Sequence, residues 1–259
     1  MNQEVKDSVA ASMDIKKKLL PLLPYLIQDL WVMGSSIDQI FSGIELLHLP
    51  ELNTVLDLCC GKGGLSVQIA KKFGYRVTGV DAMSVFLKTA ERKAGEFKVA
   101  HLCRFIQEDV NEFTSIPRKF DLVILAAAGP VFGDIKQTME ILRSQVKVGG
   151  FIFIDDCYLP DGSQVMNRKG YKYYLDYKDT RDALLSFGDQ MIAEIKTDDA
   201  QKNINSKYQR LIKNRGAELI KNYPELEKDI RNYIQEQSDE CDILERKLRS
   251  MLWIVQKYS

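Results

Sequence analysis

Short apolar runs alternate with longer amphipathic ones from Asn53 onward. The short runs, Thr54–Leu58, 76–80, Cys103–Gln107, Phe120–Ala126 and 150–155, are dominated by Val, Ile, Leu and Phe. Runs of this length and texture read as parallel strands buried on both faces. Between them, 65–73, 85–93 and 135–146 carry apolar residues at helical spacing. Strand–helix alternation with short links predicts a doubly wound α/β sheet. Gly74 stands where a left-handed residue would close the first of these helices.

The flanks read differently. Residues 1–12 are polar and expected to fray. Two apolar stretches follow, 19–33 and 37–49, separated by Gly34-Ser35-Ser36. Ser36 is placed to N-cap the second, so residues 1–50 read as a helical N-terminal cap. Residues 51–160 form the core of a single domain, and 161–259 its substrate-side lid, helical insert and last strands. Tyr171, Tyr173, Tyr174 and Tyr177 cluster within 167–177, and 191–195 reads as a strand. Ile204, Tyr208, Leu211, Ile212 and Leu219 recur at helical spacing. A second helix starts near Pro224, suited to a first turn, and runs through Leu226, Ile230, Tyr233, Ile234, Cys241, Leu244 and Leu248. Residues 251–256 make a last strand.

Composition narrows the function classes. The chain has 259 residues, with 36 acidic and 36 basic ones, so no net field favours nucleic acid. Its five cysteines are odd in number and irregularly spaced, which fits reduced thiols in a cytoplasmic protein. Cys59-Cys60 is not a metal-binding spacing, and His48 and His101 lie in different segments, so no metal site is expected. Lys16-Lys17-Lys18 before an apolar run is faintly similar to a signal peptide. Pro21 and Pro24 interrupt that run, no small-residue cleavage pattern follows, and it is too short to span a bilayer. It reads as a helix packed on the domain, with no membrane role.

The chemistry begins at Val55-Leu56-Asp57-Leu58-Cys59-Cys60-Gly61-Lys62-Gly63-Gly64. A strand, a glycine turn and a helix N-terminus offer unpaired N–H groups and close backbone approach to a nucleotide. Gly61 and Gly63 fill the first two positions of the dinucleotide fingerprint, but Ser66 takes the third. Asp81 ends the second strand, about 20 residues on, where an acid meets ribose hydroxyls. Dinucleotide and nucleoside ligands both use such an acid, and these residues alone leave the two open. The wider series adds Asp109 after the third strand, Phe120-Asp121-Leu122-Val123 in the fourth and Val148-Gly149-Gly150 turning into the fifth. With that ordered set, residues 50–160 resemble the class I S-adenosylmethionine-dependent methyltransferases, of the bacterial small-molecule type.

The resemblance implies a seven-stranded sheet with an antiparallel last strand. It implies S-adenosylmethionine as cofactor. The turn, with Asp57, Cys59, Gly61 and Gly63, would cradle the methionine end. Asp81 would bind the ribose, and Asp109 with Val110 the adenine amino group. Ala82 and Met83 would lie beside the adenine, and Ala126 would line the methyl-transfer cavity. The family usually has glycine where this chain has Cys59, and a small side chain fits there if the backbone is not left-handed.

An electrophilic methyl group needs mainly alignment and exclusion of water, and a base only for a protonated nucleophile. Asp156, with Tyr158, is the candidate base or substrate anchor, and Asp155 reads as a buried turn residue. Ala127-Ala128-Gly129-Pro130 departs from the Asn/Asp-Pro-Pro-Tyr/Phe loop of nucleic-acid amino-methylating enzymes. Gly61-Lys62-Gly63-Gly64 is faintly similar to the turn of messenger-RNA cap methyltransferases, but Leu65 replaces their acid. The helical insert between Ile195 and Met251 reads either as a lid over the pocket or as a solvated hairpin making a homodimer contact. The expected activity is methyl transfer to a small molecule. The alternatives are an RNA or protein methyltransferase, a regulatory S-adenosylmethionine-binding protein without catalysis, and an NAD-dependent oxidoreductase.

Overall fold

The alternation of apolar runs becomes one seven-stranded sheet in the order β3-β2-β1-β4-β5-β7-β6. The strands are β1 (Thr54–Leu58), β2 (Arg76–Asp81), β3 (Cys103–Gln107), β4 (Phe120–Ala126), β5 (Val146–Tyr158), β6 (Gln190–Lys196) and β7 (Arg249–Gln256). The structure, a computed structural model, describes residues 7, 9, 10, 13, 15–48, 54–163 and 171–259. The fraying expected of 1–12 falls largely outside these residues. So do Leu49, Asn53 and the 167–170 part of the tyrosine-rich stretch. Strands β1 to β5 pair in parallel, and β7 runs antiparallel between β5 and β6.

The helices are α1 (Leu23–Leu26), α2 (Ile37–Leu46), α3 (Gly64–Phe73), α4 (Ser84–Glu96), α5 (Val110–Thr114), α6 (Ile135–Gln145), α7 (Tyr177–Leu184), α8 (Asp198–Asn222) and α9 (Glu227–Arg246). Alternation along each strand sends residues to opposite faces. Val55, Leu122, Ile124, Phe151 and Phe153 pack under α2 and α3. Leu56, Leu58, Val123, Ile152 and Ile154 pack under α5, α6 and α7. Gly74 closes α3 at φ +70°, its N–H donating to Ala70 O, as its place in the sequence predicts.

A third core lies off the sheet. Leu19, Leu20, Leu23, Leu26 and Leu30 meet Ile212 and Leu219 of α8, Ile230 and Tyr233 of α9, and Met83 and Phe86 at the start of α4. The insert's apolar stripe is thus spent on the N-terminal segment. The expected helix over 19–33 is not continuous: a 3-10 turn (Lys17–Leu22) containing Pro21 gives way to α1, and irregular backbone follows. Proline lacks the N–H that a continuing helix needs. Ser36 sits at the N-cap of α2 without a side-chain cap bond.

Polar ties run along the same contact. Arg215 grips Asp29 with two nitrogens, at 2.6 and 3.0 Å, and Tyr25 Oη donates to Glu218 at 2.6 Å. Lys16 and Lys18 both reach Asp229. Exposed pairs contribute about 0–1 kcal/mol each, whereas each buried leucine contributes about 1.5–3 kcal/mol. Apolar burial therefore holds the lid together, and the ion pairs set its register. Among the described residues, no helix is long and apolar enough to cross a membrane.

Residues 27–35 cross from this lid to the sheet edge. Tyr208 Oη of α8 donates to Val32 O and accepts from Gly34 N at 2.8 Å. Gly34 has φ +82°, and a Cβ there would lie 2.3 Å from Ala127 Cβ. Gly34→Ala should therefore destabilise the fold by about 2–4 kcal/mol, combining left-handed strain and overpacking, as read by urea unfolding. Tyr208→Phe leaves two backbone groups unpaired and should cost about 1–3 kcal/mol. Hydrogen exchange should then quicken at Gly34 more than at β1.

Candidate functional site

The turn after β1 is held from three sides. Cys60 N donates to Val80 O and Gly63 N to Cys60 O, both at 3.0 Å. Asp81, ending β2, accepts from Gly61 N through one oxygen and from Met83 N through the other, both at 2.9 Å. Each oxygen keeps lone-pair capacity for a further donor. Burial pushes the Asp81 carboxyl up, and the two N–H donors hold it down. Asp57 is 3% exposed and accepts the Ser66 hydroxyl from the first turn of α3. Burial raises its carboxyl to about 7, with Ser66 opposing and Asp81 adding. Asp57 thus ties strand to helix, and Ser66 uses the third fingerprint position for that tie.

Gly63 is the N-cap of α3 at φ +68°, and no side chain caps the helix. A Cβ at Gly63 would lie 2.5 Å from Ala90 Cβ of α4. Cys59 also adopts a left-handed backbone, φ +58°. The condition for a small side chain there, a backbone that is not left-handed, is not met, and Cys59 carries about 1–2 kcal/mol of strain. Burial first, then Asp81, Asp57 and Asp109, push its thiol far up. None of the five cysteines forms a disulfide.

Asp109 caps α5: its Oδ1 accepts from Asn111 N at 2.8 Å and Asn111 Nδ2 at 3.1 Å. Val110 is buried beside it. Ala82 O accepts from Gln107 Nε2 at 3.4 Å. Met83 is buried in the lid core, so it bridges the Asp81 turn to the N-terminal segment. Together β1, β2 and β3 bring Asp57, Gly61, Gly63, Asp81, Ala82, Met83, Asp109 and Val110 to one edge.

The lid segment covers that edge. Trp31 Nε1 donates to Lys62 O at 3.1 Å. A Cβ on Gly64 would lie 2.9 Å from Trp31 O and Val32 Cα. Lys62 is buried and its ammonium donates to Ile27 O. Burial pulls that lysine down to about 8, with Asp29 opposing. Lys62 and Tyr208, which sequence reasoning missed as site residues, fasten the lid from below and above. A buried lysine inside a glycine turn gives no local signal of its carbonyl partner 35 residues away.

The next strands separate the candidate acids. Leu58 pairs with Leu125, one residue before Ala126, and Ala126 pairs with Asp155. Ala126 packs on the α2–α3 side, and Ala127, at φ +51°, donates its N–H to Asp155 O. Asp155 lies within β5, not in a turn, and faces the α2 side with Ala126. Burial pushes its carboxyl up to about 6, the hydroxyls of Ser35 and Thr197 hold it down, and Asp156 pushes it further up. Asp156 and Tyr158 point to the opposite face. Asp156 accepts from Cys157 N at 2.7 Å and Tyr174 Oη at 2.8 Å. Burial raises its carboxyl to about 6. Tyr158 packs edge-on against Tyr177 and Trp253.

The tyrosine cluster is mostly structural. Tyr171 donates to Glu240, and Tyr177 donates to Glu194 and stacks on Trp253. Tyr173 and Tyr174 line a small cleft with Gly129, Pro130, Asp156 and Trp253. Among the described residues, no cluster of three His, Cys, Asp or Glu is placed to hold a metal ion.

This edge offers groups that a nucleoside could use: a fixed carboxylate, uncapped N–H groups at α3 and a second acid, Asp109, after β3. Comparison with known proteins agrees with the architecture. A family model described as a methyltransferase domain matches residues 51–236. Over 138 residues the chain is 32% identical to 2-methyl-6-phytyl-1,4-hydroquinone methyltransferase of Synechocystis sp., covering 49% of this chain and 42% of that protein. Over 127 residues it is 28% identical to 2-phytyl-1,4-naphtoquinone methyltransferase of Trichormus variabilis, covering 48% and 54%. The chain spans about half the length of the curated relatives it matches. The crystal structure of a SAM-dependent methyltransferase from Geobacter sulfurreducens in complex with S-adenosyl-L-homocysteine superposes with a TM-score of 0.77, at 19% identity, over 92% of this chain and 98% of that one. The fold and the matched family model place this chain in the methyltransferase-domain family.

Proposed function

We propose that this chain is an S-adenosylmethionine-dependent methyltransferase acting on a small molecule. The observation that carries this reading is the Asp81 carboxylate. It is fixed by Gly61 N and Met83 N, half-buried, and has acceptor capacity left on both oxygens. Vicinal ribose hydroxyls are the donors that such a group suits. Asp109 keeps its Oδ2 for an amino group, and the uncapped start of α3 suits a carboxylate. When bound, S-adenosylmethionine supplies a methyl group on a positively charged sulfur.

The chain's own residues then have two tasks, orientation and exclusion of water. Residues 27–35, Lys62 and Tyr208 serve the second by closing the edge above the turn. A small acceptor follows from the same closure and from the equal counts of acidic and basic residues, which give nucleic acid no field to follow. The named activities of the quinone-methylating relatives are of the same kind. Five cysteines, none in a disulfide, support a cytoplasmic setting. The packing of the insert on the N-terminal segment supports reading it as part of the lid.

The test is incubation with methyl-¹³C S-adenosylmethionine and a small-metabolite extract, followed by mass spectrometry. A labelled product is expected. Labelling confined to added RNA or protein would contradict the small-molecule reading. Asp81→Asn should weaken S-adenosylhomocysteine binding by about 1–3 kcal/mol through lost charge-assisted hydrogen bonds, read by calorimetry. Unchanged affinity in the folded variant would misplace the ribose contact.

A further inference from the structure

Asp156, near the outgoing end of β5, keeps one carboxylate oxygen free beside a cleft. Both of its donors, Cys157 N at 2.7 Å and Tyr174 Oη at 2.8 Å, meet Oδ1. Among the described residues nothing donates to Oδ2, and that oxygen is not sealed from solvent. No described cation contributes to its environment either, and burial pushes the carboxyl up to about 6. The fold treats other enclosed acids differently. Asp189 and Asp229, which are buried, are met by Arg143 and by Lys16 with Lys18. Asp155, on the lid face of the same strand, is met by the hydroxyls of Ser35 and Thr197. Asp156 alone of these four faces a cleft with neither a cation nor a second hydroxyl.

The cleft is small and mostly apolar. Leu125, Pro130, Ile154, Tyr173 and Trp253 wall it around Asp156, and its volume is about 30 Å³. That admits one small head group and excludes an aromatic ring. Its place along the edge is set by the sheet. Leu125 and Ile154 are paired across β4 and β5, one residue before Ala126 and Asp155. Pro130 comes from the loop that leaves β4. On the other side the Tyr173–Tyr174 segment is fastened to the end of β5, where Leu159 N donates to Leu175 O at 2.7 Å. The carboxylate is thus held rigidly beside the loop that follows Ala126.

We propose that Asp156 and this cleft form a subsite for the ammonium head of a small amine substrate, with Tyr174 as the positioning residue that holds the carboxylate. This assignment rests on the methyltransferase reading above. An ammonium supplies both things that Asp156 lacks, an N–H donor for Oδ2 and a compensating charge. Apolar walls screen that charge pair weakly, so it counts for more here than on an open surface. Aromatic walls also suit a cation. An alcohol can donate to Oδ2 but leaves the negative charge unanswered, and a carboxylate or phosphate is repelled. The size of the cleft confines the fit to the head group, so the rest of the substrate lies outside it.

The experiment is a ¹⁵N NMR titration of the full chain, with and without S-adenosylhomocysteine. At about pH 8 both Asp156 and the probe, methylammonium, are charged. Methanol serves as the neutral twin and sodium chloride controls for ionic strength. The Cys157 amide, bonded to Asp156 Oδ1, reports the site. Wild type should show a saturable shift there with methylammonium only. Asp156→Asn should weaken that binding about tenfold through the lost charge-assisted hydrogen bond, with S-adenosylhomocysteine affinity unchanged. A Cys157 amide that moves no more with methylammonium than with sodium chloride overturns the proposal, and this arm needs no variant. Equal methylammonium affinity in wild type and folded Asp156→Asn also overturns it. So does a loss of S-adenosylhomocysteine affinity in that variant, which would give the carboxylate to the cofactor. Failure of wild type to bind S-adenosylhomocysteine would instead sink the methyltransferase reading, and the titration without it still decides whether the cleft takes a cation.

Discussion

The close approach of residues 27–35 to the turn after β1 is the constraint on which the rest of the structure depends. Gly64 lacks a Cβ where Trp31 O and Val32 Cα would meet one at 2.9 Å, so backbone lies almost on backbone. Two donors fasten the contact, Trp31 Nε1 to Lys62 O and the Lys62 ammonium to Ile27 O. A third fastening comes from Tyr208 on α8. The lid core then follows from this placement. Once residues 27–35 are held at the sheet edge, the leucines before them have α8, α9 and the start of α4 as their partners. Burial of that cluster outweighs the exposed ion pairs around it by the usual magnitudes.

The same contact divides the edge into two stations. On one side, β1, β2 and β3 present Gly61, Asp81 and Asp109 around the helix start of α3. On the other, β4 and β5 carry Ala127 and Asp155 beneath Gly34 and Ser35. The left-handed residues Cys59 and Ala127 flank the division, one after β1 and one after β4. Such strain persists only where surrounding structure enforces it, and it gathers at functional edges. Here it lets the chain leave each of these strands sharply.

Much of the sheet was legible in the sequence because its strands are short apolar runs, and burial on both faces leaves that mark directly. The glycine turn, Asp81 and Gly74 were legible for the same local reason: each role depends on neighbours a few residues away. Four features were not. The continuous helix expected over 19–33 fails at Pro21 and Pro24, and the insert's role depends on contacts such as Tyr25 with Glu218, 193 residues apart. No periodicity reports such a pairing. The choice between Asp155 and Asp156 turned on strand parity. A strand read as ending at Asp155 gives neither acid a face, whereas β5 continues to Tyr158 and turns the two acids to opposite sides. Cys59 hid its left-handed backbone, since a residue other than glycine does not announce it.

The central claim is that S-adenosylmethionine and its product sit at the turn after β1, beneath the lid segment. Hydrogen exchange followed by mass spectrometry, with and without S-adenosylhomocysteine, tests it most directly. The account predicts slowed exchange at residues 27–35 and 59–64 together, with β6 little changed. Protection by NAD at these residues with none from S-adenosylhomocysteine would contradict it.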